Sequence, residues 1–214
     1  MLMLFAKYGL KELALFSLLW VAVGLALWFS HPYARYALPL AVAGLLFTFN
    51  FFRDPPRRIP LEPNLLVSPA DGTVVEISEV REEEFLKTPC TKVAIFLSVF
   101  DVHINRSPCA GTVVAVRYKP GKFLDARDPR CGAENESNEL QVGNVLVRQI
   151  AGLIARRIVC QARPRDVLAR GEKFGMIKFG SRTELYIPKE QVEELRVKLK
   201  DKVKGGETVI ARVR

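Results

Sequence analysis

Two histidines occur in the 214 residues, His31 and His103. Imidazole is the side chain that titrates near neutrality, so these are the first candidates for moving a proton. His31 falls between two long apolar runs. That leaves His103, in F-L-S-V-F-D-V-H-I-N-R-S-P (Phe96 to Pro108), although a lone histidine serves structure as readily as catalysis. Metal ligation has less behind it, because no H-x-H or H-E-x-x-H pair occurs. Cys90, Cys109, Cys131 and Cys160 are scattered, with no C-x-x-C pair and no compact disulfide framework. They read as partly buried thiols in a reducing compartment.

No G-x-S-x-G elbow and no glycine-rich phosphate loop is present. A remaining route to a nucleophile is a serine acting on its own backbone, its Oγ attacking the preceding carbonyl while a base takes the proton. F-G-S-R-T-E-L-Y-I-P (Phe179–Pro188) raises that question. Its Gly180-Ser181 step is either a turn entering an alternating strand or a bond built to be broken. Asp71 is singled out by a repeat: S-P-A-D-G-T-V-V (Ser68–Val75) recurs as S-P-C-A-G-T-V-V (Ser107–Val114), 39 residues later. Proline presets a turn, glycine allows positive φ, and the β-branched residues start a strand. The second copy has Ala110 where the first has Asp71, so the turn does not need the acid; the choice is between chemistry and an Asx-type contact.

The elements that position these residues fall into two parts. Leu13–Ser30 is uncharged for 18 residues and Tyr36–Phe52 for 17, joined by H-P-Y-A-R. Roughly 17–25 such residues cross the hydrocarbon core, which predicts a membrane hairpin rather than a cleaved signal peptide. Lys7 and Lys11 before it, and Arg53, Arg57 and Arg58 after it, outnumber Arg35 in the link. Both termini are therefore expected on the cytoplasmic side. The prolines of R-D-P-P-R-R-I-P (Arg53–Pro60) end the second helix, dividing residues 1–60 from a body at 61–214. That body is predicted to be mainly β, with strands near Thr73–Ile77, Val93–Ser98, Thr112–Tyr118, Val145–Val147, Leu153–Cys160, Arg182–Ile187, Leu195–Leu199 and Thr208–Val213. Net charge is +9, with acids and bases interspersed and no basic run carrying stacking aromatics. This argues against a nucleic-acid partner and suits an anionic membrane surface.

Taken in order, F-F-R-D-P-P-R (Phe51–Arg57), S-P-A-D-G (Ser68–Gly72), L-S-V-F-D-V-H-I-N-R-S-P (Leu97–Pro108), G-K-F-x-x-A (Gly121–Ala126), E-N-E-S-N (Glu134–Asn138) and F-G-S resemble the phosphatidylserine decarboxylases. The resemblance runs from about Phe51 to the C-terminus and is to the short bacterial and archaeal branch, archaetidylserine decarboxylases included. It implies self-cleavage at Gly180-Ser181 into a β chain, residues 1–180, and an α chain, residues 181–214. Ser181 becomes a pyruvoyl group, the Schiff-base site for the substrate amine, with no metal or free cofactor. Implied partners are phosphatidylserine or its archaeal ether-lipid analogue, the cell membrane, and the two chains as a heterodimer that dimerises further. His103 would protonate the carbon left by CO2, and Asp71 would orient His103 or help activate Ser181.

Longer members carry a second histidine, in D-Y-H-R-V-H-x-P, where this chain has Arg106. Either His103 then serves both reactions or Asp71 acts more directly on Ser181. Arg106 is read as a ligand of the lipid phosphate or a solvated arginine, and Phe123 and Leu124 as candidates to hold acyl chains. The run Val197–Val213 also resembles lipoyl and biotinyl carrier domains, implying a barrel-sandwich-hybrid-like body. It supplies the alternative of a membrane-tethered carrier or adaptor without catalysis.

Overall fold

A computed structural model describes residues 4–153, 157–178 and 181–214. The chain divides into two compact units, Met1–Pro56 and Arg57–Arg214. In the first, α1 (Leu10–Ser30) and α2 (Leu38–Phe51) are joined by a 3-10 link, Pro32–Ala37. Small residues let the helices approach: the Trp20 indole occupies the space a Cβ at Gly44 would need, and Gly24 faces Ala41. Backbone bonds from Ala6 to Phe52 and from Asp54 to Leu4, both 2.8 Å, tie the ends together. Lys7–Ser30 has a mean hydropathy of 2.1 over its most apolar window, of which only 6% is buried. A core helix of a water-soluble hairpin would be mostly covered. These two apolar helices, with Leu18, Phe29, Leu40 and Leu46 facing outward, are consistent with membrane association.

The second unit is mainly β, and its strands pair antiparallel. In chain order they are β1 (Leu65–Val67), β2 (Gly72–Glu82), β3 (Thr88–Leu97), β4 (Ile104–Arg106), β5 (Gly111–Lys119), β6 (Ser137–Val142), β7 (Val145–Ala151), β8 (Arg157–Cys160), β9 (Val167–Leu168), β10 (Lys173–Lys178), β11 (Ser181–Pro188), β12 (Val192–Leu195), β13 (Lys202–Val203) and β14 (Val209–Val213), with a short helix α3 (Cys131–Glu134) before β6. One long sheet runs β13-β2-β3-β11-β7-β6-β5-β9 and curls into a half-barrel; β1-β14-β12 and β4-β10-β8 form two smaller sheets. Val74, Ile95, Val113, Leu140, Val147 and Leu185 are among the buried residues of the core.

This unit has an internal two-fold likeness. Thr73 pairs with Lys202 as Thr112 pairs with Val167, and both β2 and β5 carry a register shift, at Val74/Glu76 and Val113/Ala115. The two copies of S-P-x-x-G-T-V-V fold alike: Ser68 Oγ donates to the Ala70 carbonyl at 2.6 Å and Ser107 Oγ to that of Cys109 at 2.7 Å. They also bond each other reciprocally, Val67 N–H to Pro108 and Arg106 N–H to Pro69, both at 2.9 Å. A second repeat, not recognised in the sequence, completes the likeness. R-D-V-L-A-R-G-E (Arg165–Glu172) returns as K-D-K-V-K-G-G-E (Lys200–Glu207), with positive φ at Arg165 and Lys200 and at Gly171 and Gly206.

Of the two glycines of the first repeat, one takes the expected positive φ and the other does not. Gly72 has φ +152 and a Cβ there would strike the Phe96 carbonyl, whereas Gly111 shows no positive φ. Six strands went unpredicted, β1, β4, β6, β9, β10 and β13. The strand expected at Leu195–Leu199 is instead β12, ending at Leu195; the chain then drops Val197 into the core and turns at Lys198–Asp201. Of Leu153–Cys160, the described strand is Arg157–Cys160.

Candidate active site

Ser181 opens β11, between β3 and β7, with Leu97 and Ala151 as its Cα partners. It is fully buried, and its Oγ has no hydrogen-bond partner among the described residues. Burying a hydroxyl without a partner is unfavourable by about 1–3 kcal/mol, so the surrounding packing must hold it there. Phe179 and Gly180 lie outside the described residues. The chain reaches them from Lys178, the end of β10 in a smaller sheet, and leaves at Ser181 in the long one.

His103 is fully buried just before β4, and its carbonyl accepts from Ile177 N–H at 3.2 Å, on the strand that leads to Ser181. Its Nδ1 lies 2.9 Å from the Asp101 carbonyl. A carbonyl only accepts, so Nδ1 carries the proton and Nε2 is the basic nitrogen. Asp101 belongs to a tight turn: its carboxylate accepts from Ser98 N at 2.8 Å and Ser98 Oγ at 2.7 Å, and its own N–H donates to the Ser98 carbonyl.

A chain of buried amides couples the histidine's strand to the serine's. Asn138 donates to Gln149 at 3.0 Å, Gln149 to Asn105 at 2.8 Å, and Asn105 to Thr183 Oγ1 at 3.0 Å. Asn105 and Asn138 sit in motifs quoted above, but their task needed the three-dimensional pairing of β4, β6, β7 and β11.

Asp71 is held by groups the sequence did not suggest. Arg57 donates to Oδ2 at 2.7 Å and Gly205 N–H to Oδ1 at 2.8 Å. Burial pushes the Asp71 carboxyl up from its ordinary 3.8; the Arg57 charge and both hydrogen bonds pull it back, and the Asp101 charge adds to the rise. The internal likeness isolates this arrangement. Where the first half has Asp71 and Gly205, the second has Ala110 and Arg170, and Arg170 turns to the Leu65 carbonyl. A side chain at position 205 would press on Ala70 and on the Asp71 carboxylate. Asp71 is therefore an addition to a turn that folds without it.

Arg106 is buried rather than solvated, and its Nη1 donates to the Gly171 carbonyl at 3.0 Å. Phe123 packs against Ala151 and Ile177, which places it beside the strands that flank Ser181. Leu124 is clipped through its backbone: Asn135 Oδ1 accepts from its N–H and Nδ2 donates to its carbonyl, both at 2.9 Å, while Nδ2 also reaches Ala151 O at 2.8 Å. The same loop continues to Asp125–Arg127, which with Phe96, Ser98, Val99 and Leu153 lines a pocket of about 360 Å³. Phe96 and Ser98 flank Leu97, the Cα partner of Ser181.

On the other face of β11, charged side chains are buried in place of an apolar layer. Arg182 bonds Glu76 and Glu184, and Arg148 bonds Glu139 at 2.6 Å and Glu184 at 3.7 Å. Tyr186 O–H donates to Glu184 at 2.6 Å. The thiols are poor nucleophiles: all four cysteines are free, and burial pushes Cys90 and Cys109 up to about 11. Among the described residues no group of three or more His, Cys, Asp or Glu gathers to hold a metal.

A family model described as phosphatidylserine decarboxylase matches residues 45–211. Similar proteins named "Phosphatidylserine decarboxylase proenzyme" include one from Carboxydothermus hydrogenoformans, 50% identical over 173 residues, covering 79% of this chain and 81% of that protein. One from Syntrophus aciditrophicus is 48% identical over 174 residues, with the same coverage of each chain. Another, from Rhodopirellula baltica, is 44% identical over 216 residues, covering 97% of this chain and 88% of its own.

Proposed function

Because the chain belongs to the phosphatidylserine decarboxylase family, we propose that it removes CO2 from phosphatidylserine, after cutting its own Gly180-Ser181 bond to form a pyruvoyl group. Family membership makes it a decarboxylase proenzyme and sets aside the carrier without catalysis. The observation that carries the self-cleavage reading is the Ser181 hydroxyl, buried and unpartnered at the first residue of a central strand. A hydroxyl held away from competing donors and acceptors is suited to attack the neighbouring carbonyl once a base takes its proton.

His103 is the base this arrangement favours, with Nδ1 fixed on Asp101 and Nε2 basic. Attack of Ser181 Oγ on the Gly180 carbonyl exchanges an amide for an ester. Loss of the Ser181 α-proton then expels the Gly180 carboxylate, and the dehydroalanine left behind takes up water and releases ammonia. Bound in that place, the resulting ketone supplies a partner for the substrate amine and a sink for the electrons freed with CO2. His103 afterwards returns a proton to the substrate carbon. Asp71, held by Arg57 and the Gly205 N–H, positions rather than accepts. Phe123 and the pocket beside it face the lipid, while Arg106 braces Gly171.

The product is the corresponding ethanolamine lipid. The positive charge flanking the hairpin supports a body on the cytoplasmic side of the cell membrane. After cleavage, residues 1–180 and 181–214 remain together as a heterodimer.

Intact-mass measurement tests this directly. The purified protein should separate under denaturing conditions into residues 1–180 and 181–214, the smaller one blocked to Edman sequencing. Ser181→Ala should remain a single uncut chain with no decarboxylase activity. Normal processing of that variant would exclude Ser181 as the nucleophile.

A further inference from the structure

The chain between Gly121 and Asn135 closes on itself. Lys122 N–H donates to the Glu134 carbonyl at 2.7 Å, and a Cβ at Gly121 would lie 2.4 Å from the Asn135 backbone, so the two ends touch. Between them the Asp125 carboxylate accepts from Arg127 N–H and that of Asp128 from Arg130 N–H. Backbone bonds run from Asp128 to Asp125 and from Cys131 to Asp128, and the Cys131 thiol reaches the Ala126 carbonyl at 3.4 Å. A loop closed at its base and braced by its own hydrogen bonds is a compact Ω-loop, able to shift as one piece. Asp125, Ala126 and Arg127 of this piece line the pocket together with Phe96 and Ser98, which flank the Cα partner of Ser181.

Asn135 joins that loop to the strand beside Ser181. Where β6 begins, the ladder to β7 is exchanged. Ala151 N–H donates to the Glu136 carbonyl, but Glu136 N–H turns to the Lys122 carbonyl rather than returning the bond to Ala151. The fully buried Asn135 side chain takes the Ala151 carbonyl instead, through Nδ2 at 2.8 Å. The same amide grips Leu124 at both of its backbone groups. One donor and two acceptors face it, so a single orientation of the amide makes all three bonds. Ala151 is in turn the Cα partner of Ser181. We infer that Asn135 is a positioning residue for substrate binding: through Leu124 and Ala151 it fixes the loop wall of the pocket against the strand beside Ser181, and so sets how tightly the lipid is held. The role belongs to decarboxylation and not to self-cleavage, because the loop meets an incoming lipid whereas Ser181 attacks within its own chain. The inference rests on phosphatidylserine being the substrate and on this pocket receiving it.

The test uses the full chain in mild detergent, with phosphatidylserine supplied in mixed micelles. Asn135→Leu is similar in size and removes all three side-chain bonds. KM should rise about tenfold while kcat stays within about threefold, the pattern of binding lost equally from ground and transition states. Completed self-cleavage on a denaturing gel reports that the variant has folded. If Asn135→Leu does not process, Gly121→Ala takes its place, since the added Cβ pushes the same loop away from its other end. A merely structural asparagine would lower the amount of active enzyme, and so the apparent kcat, with KM unchanged. That result, unchanged kinetics, or failure of both variants to process overturns the positioning role. A wild-type chain that cleaves itself but does not decarboxylate phosphatidylserine removes the substrate assignment, and this inference with it.

Discussion

At the scale of single residues, the carboxyl group of Asp71 is balanced between opposing effects. Burial raises it, while Arg57 and Gly205 N–H stabilise its charge. A carboxyl raised in the folded state binds its proton before the unfolded chain does. Its contribution to stability is therefore fully present below 3.8 and is lost as pH rises through the folded value. Function runs the other way, because the positioning role needs the charged form. Arg57→Met removes the nearest opposing charge and leaves desolvation less opposed, so the group should move further up. The acid limb of the self-cleavage rate, followed by gel densitometry against pH, should shift to higher pH in this variant. An unshifted limb with merely lower stability would show that Arg57 only braces the fold. Arg57 could not be assigned this task from R-D-P-P-R alone, because its partner is 14 residues away in another motif.

At the scale of elements, the polar chain Asn138–Gln149–Asn105–Thr183 ties β4, which His103 precedes, to β11, which Ser181 opens. Replacing Asn105 by Leu strands Gln149 Nε2 with only a long 3.4 Å bond to Val159 O. That should cost about 1–3 kcal/mol. For a chain of this size the melting temperature falls roughly 2–4 °C per kcal/mol. Self-cleavage should slow by more than this stability loss explains when both are measured at a temperature where the variant is folded. The same polar character explains what the sequence hid. The S-N-E-L-Q-V of β6 lacks the apolar alternation of a half-buried strand because Asn138 and Glu139 are buried in networks on its two faces. In β10, Gly175 breaks the pattern, since any side chain there would strike the Val159 carbonyl. The hairpin, the proline boundary and the repeated turn were legible because short-range rules govern them. The second repeat was not, since little beyond its Asp and Gly-Glu positions recurs and β9 and β13 are two residues each.

At the scale of the second unit as a whole, cleavage between residues 180 and 181 would cut a chain whose short piece lies at the centre of the sheet. Residues 181–214 supply β11, β12, β13 and β14, which join both the long sheet and one of the smaller ones. β11 is bonded to β3 along one edge and to β7 along the other, and every residue in it is buried. Its core-facing side chains, Leu185 and Ile187, are fully buried in the main cluster, and Ile210 and Ala211 of β14 join them. Each such side chain contributes roughly 1.5–3 kcal/mol. Its opposite face bonds Arg182 and Glu184 to Glu76 and Arg148 of the long piece. Breaking one peptide bond at the strand's first residue leaves all of this in place, so the two pieces should behave as one folded body. Size-exclusion chromatography in mild detergent should show them co-eluting after complete processing, and only denaturant should separate them. Release of the small piece under native conditions would contradict the central placement of β11, because a strand hydrogen-bonded on both edges and buried on both faces has no route out that leaves the sheet intact.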